Sequence, residues 1–415
     1  MKRIYTSIDI GSDSIKVVVC ELFNNRLNLL AASSIKSRGI KRGLITDVNE
    51  ATICIKEAIN EVESMLGIRI KKVIASVPAY FAEYSLIKGE IDITGENLMV
   101  TGKDVVKVLQ TAMENNISSN KEMVTILPID FKLDDKSGIN IPIGLVGSNL
   151  STRAIMVTTP KKNIYSVLSL LESIGIEVVD ISLSSIGDMC AFRNDDIENK
   201  LGAIVNIGAE TTTVSIFNKG VIVKSSIIGM GGKNIDNDIA YMYKTNLDNA
   251  CKLKEKFALA HKRNANVSDT YMLDTIYGEK IKVNKFEVSE IVMSRIEEIL
   301  NLARKEINIL TNKEIEYIIV TGGTSNISQF ESIVDEVFNK KAIIGNLKLI
   351  GVRNNKYTSA IGNVIYFINV LKLKGLNYTM VSAEDMENLS SVKKNIINVS
   401  NESMLGKVFG YFFGE

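Results

Sequence analysis

The chain of 415 residues carries 49 lysines and arginines against 48 aspartates and glutamates, which gives a formal net charge of +1. This length suits two or more domains, and the balanced charge argues against a nucleic-acid partner. The four cysteines are scattered, as is typical of thiols in a reducing compartment, and a single histidine makes a Ser-His-Asp hydrolase or a multi-histidine metal site hard to build.

The start of the chain predicts a strand, a polar turn and a second strand. Met1-Lys2-Arg3 leads directly into the apolar run Ile4–Ile8, so we expect no signal peptide, and no run of about 18 apolar residues predicts a membrane span. The turn Asp9-Ile10-Gly11-Ser12-Asp13-Ser14 follows, and then the apolar run Ile15–Leu22. Glycine in such a turn lets the backbone approach a ligand, and successive N–H groups form a cavity for an anion.

The same pattern recurs about half a chain later. The turn Asn206-Ile207-Gly208-Ala209-Glu210-Thr211 lies between the strand-like runs Ala203–Val205 and Thr213–Phe217. One such turn is weak evidence, because any hairpin needs a polar corner. The pair is stronger, and it predicts two related domains that each present a phosphate-binding hairpin to one nucleotide held between them.

Further turns and side chains complete the candidate site. Asp9 stands at a strand end, where its carboxylate can hold Mg²⁺ through water, and Lys16 can aim its ammonium at phosphates, although a solvated strand lysine is the alternative. Two glycine turns precede predicted helices, which favours phosphate or ribose hydroxyls. The candidate nucleotide-binding residues are Asp9, Gly11, Ser12, Asp13, Lys16, Asn206, Gly208, Ala209, Glu210, Thr211, Gly231, Gly232, Lys233, Asn234, Lys254, Gly322, Gly323 and Ser325.

Periodicity predicts the surrounding elements. We expect helices at Glu50–Leu66, Lys161–Ser173, Asn237–Tyr243, Phe286–Leu310 and Phe330–Phe338, and strands in the order of an α/β fold. Residues 81–159 differ, since the capping box Thr101-Gly102-Lys103-Asp104 opens a short helix between strand-like runs. This stretch predicts a small inserted α+β domain.

The set of turns resembles the ATPase superfamily of actin, Hsp70 and sugar kinases, and within it the FtsA family of bacterial cell-division proteins. The stretches Leu127–Phe131 and Ile141–Leu145 are similar to the insertion shared by FtsA and PilM. The strings Gly231–Ala240 and Tyr357–Gly362 are similar to FtsA. The resemblance covers nearly the whole chain, and it implies an actin-like fold that binds ATP and Mg²⁺.

The resemblance also implies a division of the chain into domains. Residues 1–80 and 160–200 would form the first actin-like half, completed by 351–375, and 81–159 the insertion (an SHS2-like domain). Residues 201–228 and 311–350 would form the second half, with 229–310 as its small subdomain. That subdomain binds the C-terminal peptide of FtsZ in the family, so Arg295 is a candidate partner-binding residue, although a solvated arginine is the alternative. The insertion implies contacts along a filament and with later division proteins.

Two departures from the family put fast ATP hydrolysis in doubt. The segment Ile181–Ser184 lacks the Gln or Glu that positions water in actin and Hsp70, and nearby Asp180 and Asp188 are equally explained as a loop end or a cap. Asn206 replaces an aspartate, and an amide cannot accept a proton at neutral pH. We therefore expect at most a slow ATPase. In a third departure, Cys251 replaces an acid near the adenosine, so we expect recognition of the ribose or base to differ in part.

The C-terminal residues predict a tethered membrane anchor. Residues 376–402 are polar and aperiodic, which favours a flexible linker, and 403–415 form an amphipathic segment. Its glycines make it a poor helix in water, each costing about 1 kcal/mol relative to alanine, and an apolar bilayer interface can supply the missing stabilisation. The predicted membrane-binding residues are Met404, Leu405, Lys407, Val408, Phe409, Phe412 and Phe413. The resemblance places this segment on the cytoplasmic face of the membrane at the division site.

Two alternatives share the fold. A small-molecule kinase would need a catalytic acid in the cleft and has no use for an amphipathic tail. A PilM-like pilus assembly scaffold shares the insertion but lacks this tail.

Overall fold

The computed structural model describes residues 2–94, 96–113 and 119–389. The strands are β1 (Arg3–Ile10), β2 (Ser14–Phe23), β3 (Arg26–Lys36), β4 (Ile40–Lys41), β5 (Leu44–Ile45), β6 (Lys72–Val77), β7 (Glu83–Asp92), β8 (Lys121–Leu133), β9 (Lys136–Ile139), β10 (Asn149–Pro160), β11 (Glu177–Leu183), β12 (Leu201–Ile207), β13 (Thr212–Asn218), β14 (Val221–Ile228), β15 (Thr270–Asp274), β16 (Lys280–Asn284), β17 (Tyr317–Thr321) and β18 (Ala342–Ile344). The helices are α1 (Val48–Leu66), α2 (Gly102–Met113), α3 (Lys161–Ser173), α4 (Ser184–Phe192), α5 (Asp195–Glu198), α6 (Gly232–Tyr243), α7 (Leu247–Lys256), α8 (Lys285–Leu310), α9 (Phe330–Phe338) and α10 (Thr358–Leu373).

Two five-stranded sheets carry the same topology. The first has the order β11-β6-β1-β2-β3, and the second, read in the matching direction, has the order β18-β17-β12-β13-β14. In each sheet the central strand pairs antiparallel with the strand that follows it and parallel with a later one. The expected pair of related α/β halves is therefore confirmed, and it puts the two polar turns at equivalent places.

The apolar pattern of the sequence explains why these halves form. Strand β2 is buried along almost its whole length, because helices cover its sheet on both faces. Helix α1 begins where the Asp47 side chain accepts hydrogen bonds from two first-turn N–H groups, and it ends at Gly67, whose φ of 68° suits glycine. Its buried face, Ile55, Ile59, Val62 and Leu66, is the one that periodicity predicts.

The predicted insertion forms a separate layer. Its sheet has the order β7-β10-β8-β9, and α2 packs on it through Val105 and Val108. Gly89 on β7 permits this contact, because a Cβ there would lie 2.4 Å from the Val108 carbonyl oxygen. The Thr101 N–H donates to the Asp104 carboxylate at 2.8 Å, as the capping-box pattern predicts.

One predicted helix boundary is wrong. Helix α6 begins at Gly232 rather than Asn237, because the Asn234 side chain accepts a hydrogen bond from the Gly231 N–H at 3.0 Å and caps the first turn. The stretch 257–283, which is polar and rich in turn-forming residues, also contains β15 and pairs it with β16. Buried Leu273 and Val283 anchor that hairpin, although most of its other side chains are exposed.

The flexible linker predicted over 376–402 is wrong for residues 376–389. The Met380 N–H donates to the Ile4 carbonyl at 2.9 Å, and the Tyr378 ring meets Phe367 edge-on at 6.0 Å between centroids. Residues 383–389 are helical, and Met386 packs against the core of the first half. Sparse apolar residues in a polar stretch are enough to fix the chain here. The remainder of that linker and the predicted anchor at 403–415 lie outside the described residues.

Within the ranges that the structure describes, no helix is both long and apolar enough to cross a membrane.

Candidate functional site

The two polar turns face one cleft between the halves. The cleft has a cavity volume of about 690 Å³, and the third turn at Gly322 and Gly323 also lines it. Its lining carries seven lysine or arginine side chains and four carboxylates, whereas the chain as a whole is nearly neutral. An excess of cations in a partly enclosed cleft favours an anionic ligand.

The first hairpin holds a buried ion pair. Asp9 and Lys16 lie opposite each other on β1 and β2, and the Lys16 Nζ is 3.1 Å from the Asp9 Oδ2. The other Asp9 oxygen accepts from the Ser76 hydroxyl at 2.8 Å. A Cβ on Gly11 would lie 2.8 Å from this ammonium, so glycine lets the lysine cross the turn.

The second hairpin is built on amides and hydroxyls instead. Asn206 pairs in register with Thr213, and its Nδ2 donates to the Asp188 Oδ2 at 2.7 Å. The Ser359 hydroxyl donates to the other Asp188 oxygen at 2.6 Å. Burial raises the pKa of Asp188 to about 7, against the smaller lowering effects of the Ser359 and Asn206 hydrogen bonds.

A close helix crossing positions this carboxylate. Helices α4 and α10 touch at Gly187 and Gly362, where a Cβ on Gly362 would lie 1.7 Å from the Gly187 carbonyl oxygen. The crossing brings the Asp188 carboxylate against the Ser359 hydroxyl. Ser359 lines the cleft, whereas Asp188 lies outside the lining. Sequence reasoning considered Asp188 only as a loop end or cap. Its role comes from this helix crossing, for which the local sequence carries no signal.

A polar clasp joins the two halves across the cleft. The Lys233 ammonium donates to the Glu210 carboxylate at 2.8 Å and to the Ser12 carbonyl at 3.2 Å. The Arg42 N–H donates to the second Glu210 oxygen at 2.6 Å. Burial tends to raise the pKa of Glu210, but the hydrogen bonds from Lys233 and the Arg42 N–H outweigh it and lower that pKa. Residues of both hairpins therefore meet in one network, which we call the Lys233 clasp.

The remaining turns bring backbone close to the cleft. Gly322 has a φ of 97°, and a Cβ there would lie 2.4 Å from the Ile207 carbonyl oxygen, so only glycine fits. Lys254 is buried and pairs with Asp236 at 2.8 Å. Burial raises the pKa of Asp236, and the Lys254 charge acts against that shift.

The structure places fourteen of the eighteen candidate ligands on the lining of this one cleft. The other four do not belong to the lining: Glu210, Gly231, Asn234 and Ser325. Glu210 belongs to the Lys233 clasp, Asn234 caps α6, and the Ser325 hydroxyl donates to the Gly322 carbonyl at 2.9 Å. Sequence reasoning missed other lining residues, among them Lys36, Arg42, Ser76, Tyr80, Glu255 and the segment 354–356.

The cleft offers a limited set of metal ligands. Within 2–94, 96–113 and 119–389, no three acidic, histidine or cysteine side chains come together as a metal site. Asp9 faces the cleft with both oxygens already hydrogen-bonded. This arrangement fits a cation held mainly by water and by phosphate oxygens, which is how Mg²⁺ commonly binds.

Arg295 is engaged within its own subdomain. Its guanidinium forms two hydrogen bonds, at 2.6 and 2.9 Å, with the Asp238 carboxylate on α6, and it also contacts Glu298. About a quarter of its side chain is exposed. The pair ties α8 to α6 and leaves a fraction of the guanidinium available to a partner.

Comparison with protein families gives two adjacent matches. Residues 203–362 match the family described as cell division protein FtsA, and residues 83–158 match the SHS2 domain inserted in FTSA. Together they span more than half of the chain. The chain is 27% identical over 404 residues to the cell division protein FtsA of Enterococcus hirae, covering 96% of this chain and 91% of that protein. It is 25% identical over 375 residues to that of Bacillus subtilis, covering 90% and 85%.

Solved structures share the fold at low sequence identity. The PilM-PilN type IV pilus biogenesis complex matches with a TM-score of 0.58 and 14% identity, covering 88% of this chain and 98% of that chain. MreB5 of Spiroplasma citri bound to ADP matches with a TM-score of 0.52 and 14% identity, covering 95% and 99%.

Proposed function

This chain belongs to the FtsA family, and we propose that it is an actin-like cell-division protein that binds ATP with Mg²⁺ in the cleft described above. The observation that carries the proposal is the pair of equivalent hairpins that face one cationic cleft. Two glycine turns directed at the same space suit a chain of phosphates better than a single anion, because each can hold a different phosphate group.

The residues of the cleft divide the binding among them. The turns at Gly11 and Gly208 would lie against the phosphates, Lys16 would neutralise charge, and Asp9 would orient a hydrated Mg²⁺. The turn at Gly322 and Gly323 would receive the nucleoside, since its backbone lines the same cleft. Bound ATP supplies a link between the halves.

Hydrolysis should be slow in this arrangement. Asn206 cannot accept a proton, and Asp188, which stands behind it, is separated from the cleft by Asn206 and Ser359. The residues are therefore better suited to holding nucleotide than to activating water.

Three further roles complete the proposal. Nucleotide-bound chains would assemble into filaments through the inserted domain, which would also contact later division proteins. The subdomain at 229–310 would bind the FtsZ C-terminal peptide, with Arg295 beside the contact. Residues 403–415 would hold the assembly on the cytoplasmic face of the membrane, where many weak anchors act together.

Liposome co-sedimentation with ATP and Mg²⁺ tests the anchoring role. The full chain should pellet with vesicles, and a chain that ends at Ser403 should stay in solution. Phe409→Ser combined with Phe412→Ser should behave like the truncation, because the apolar face supplies the binding. Lys407→Ala should reduce pelleting far less, because attachment rests on the apolar face more than on the single cation of residues 403–415.

Sedimentation of the truncated chain with vesicles would contradict a tail anchor. If full chain and truncation both stay in solution, the anchor proposal fails, and phosphoryl transfer to small substrates becomes the next assay, since a kinase would share this cleft.

A further inference from the structure

Lys356 stands at the junction of the two halves and faces the cleft. It lies in a 3₁₀ turn, Asn355–Tyr357, which leads directly into α10. A Cβ on Gly323 would lie 3.7 Å from the Lys356 Cβ, so the lysine stem passes beside the third glycine turn. The residue lines the same cleft as the two hairpins.

The backbone around Lys356 is held from both sides. The Asn355 N–H is held in place because it donates a hydrogen bond to the Asn326 side-chain oxygen at 3.1 Å. The Asn355 Nδ2 donates to the Ser325 hydroxyl at 3.2 Å, and the Thr358 hydroxyl lies 2.9 Å from that of Thr321. These bonds fix the start of the Lys356 side chain relative to the glycine turn, so little ordering is needed when a ligand binds.

The Lys356 ammonium differs from three other lysines of the cleft. Lys16, Lys233 and Lys254 each pair with a carboxylate at 3.1, 2.8 and 2.8 Å respectively. Lys356 is half-buried, yet its ammonium has no hydrogen bond or ion pair with any residue in the described part of the chain. The Lys356 Nζ lies over the face of the Tyr357 ring, 5.1 Å from the ring centroid.

The electrostatic surroundings of Lys356 favour an anionic ligand. Burial lowers the pKa of Lys356, and the nearby charge of Lys16 lowers it further, while Asp13 and Glu255 act in the opposite direction. A cation without a carboxylate in ion-pair contact gains more from an anionic ligand than one already paired.

We propose that Lys356 is a further ligand of the nucleotide, and that its ammonium binds the phosphate chain from the side of α10. The inference rests on the proposed nucleotide binding. It adds a further cationic side chain to the site. Helix α10 packs against β1, and its first turn is hydrogen-bonded to β17. Binding of the phosphate chain at Lys356 would therefore couple nucleotide binding to the junction of the halves.

The test is equilibrium binding of ATP, ADP, AMP, adenosine and inorganic triphosphate to the full chain. Lys356→Met keeps the stem beside Tyr357 and removes the charge. It should weaken ATP binding roughly tenfold, the usual scale of one charge-assisted hydrogen bond, and leave adenosine within about twofold. Lys356→Arg should restore most of the ATP affinity. Lys348→Ala, which removes an exposed charge outside the cleft, should change neither ligand.

Each outcome decides between the claims. Equal ATP affinity in the unmodified chain and in Lys356→Met overturns the inference and leaves the proposed function standing. An equal loss for ATP and adenosine also overturns it, because the lysine would then shape the nucleoside site. If the unmodified chain binds neither ATP nor triphosphate, the proposed function and the inference both fail. Thermal unfolding of Lys356→Met should match that of the unmodified chain, which shows that the variant folds.

Discussion

The two hairpins of the cleft share a backbone but differ in chemistry. Their strands pair in the same register, so that Asp9 opposite Lys16 corresponds to Asn206 opposite Thr213. The first hairpin holds an ion pair sheltered from solvent, and the second holds an uncharged pair backed by a buried carboxylate. The charged partner of the second hairpin, Lys233, comes from α6 instead.

This difference shows that the fold determines where the two turns lie, whereas the side chains determine the chemistry of each turn. The repeated sheet places both turns at one cleft, which explains why either could touch phosphate. In the proposed nucleotide complex the side chains would take distinct tasks: charge neutralisation at the first hairpin, and positioning across the cleft at the second. A duplicated fold therefore does not imply two equivalent sites.

The largest expected effect comes from breaking the ion pair of the first hairpin. Asp9→Asn keeps the shape and the Ser76 hydrogen bond but leaves the Lys16 ammonium buried without a carboxylate. We expect the free energy of unfolding, measured by urea denaturation without nucleotide, to fall by about 2–4 kcal/mol.

The double variant Asp9→Asn, Lys16→Thr converts the first hairpin to the chemistry of the second. It should recover part of the lost stability, because no charge remains unpaired. A single variant as stable as the unmodified chain would show that the pair is not a structural element of the hairpin.

An intermediate effect concerns the carboxylate behind the second hairpin. The pKa of Asp188 is raised to about 7 in the folded chain, from an ordinary value of 3.8, so the folded state retains a proton that the unfolded state has released. Its contribution to stability is therefore present at low pH and is lost as the pH rises from about 4 to 7, at up to about 1.4 kcal/mol per pH unit.

Urea denaturation between pH 5 and pH 8 checks this slope. Asp188→Asn cannot titrate, so its stability should fall less steeply with rising pH than that of the unmodified chain. Parallel pH profiles for the two proteins would contradict the burial of a protonated Asp188.

The smallest expected effect comes from the Lys233 clasp. Lys233→Met removes its bonds to Glu210 and Ser12, but the lysine is 43% exposed, so the free energy of unfolding should fall by only about 0.5–1 kcal/mol. The loss should shrink at high salt. Lys219→Met serves as the control at an exposed site, and a loss as large as that of Asp9→Asn would erase the contrast between the hairpins.

Local patterns were enough to predict most of the fold. Gly11 and Gly208 follow apolar runs of strand length, and the apolar residues of α1 recur every three to four positions. Turns, strands and helices could therefore be predicted from the sequence. The Asn234 cap and the packing of Met380 on Ile4 were not, because each depends on a partner that only tertiary structure brings near.

The site was predicted in the same uneven way. Residues in glycine turns were identified because the turn itself indicates backbone approach. Asp188 and Lys356 were missed, since their importance comes from the crossing of α4 with α10 and from the absence of a carboxylate beside a sheltered ammonium. Neither condition has a local sequence signature.

Hydrogen–deuterium exchange of the full chain, with and without ATP and Mg²⁺, tests the central claim that both hairpins bind one nucleotide. The account predicts that peptides containing Gly11 and Gly208 become protected together, with the same dependence on ATP concentration. Protection of one hairpin alone, or of neither at saturating ATP, would contradict it.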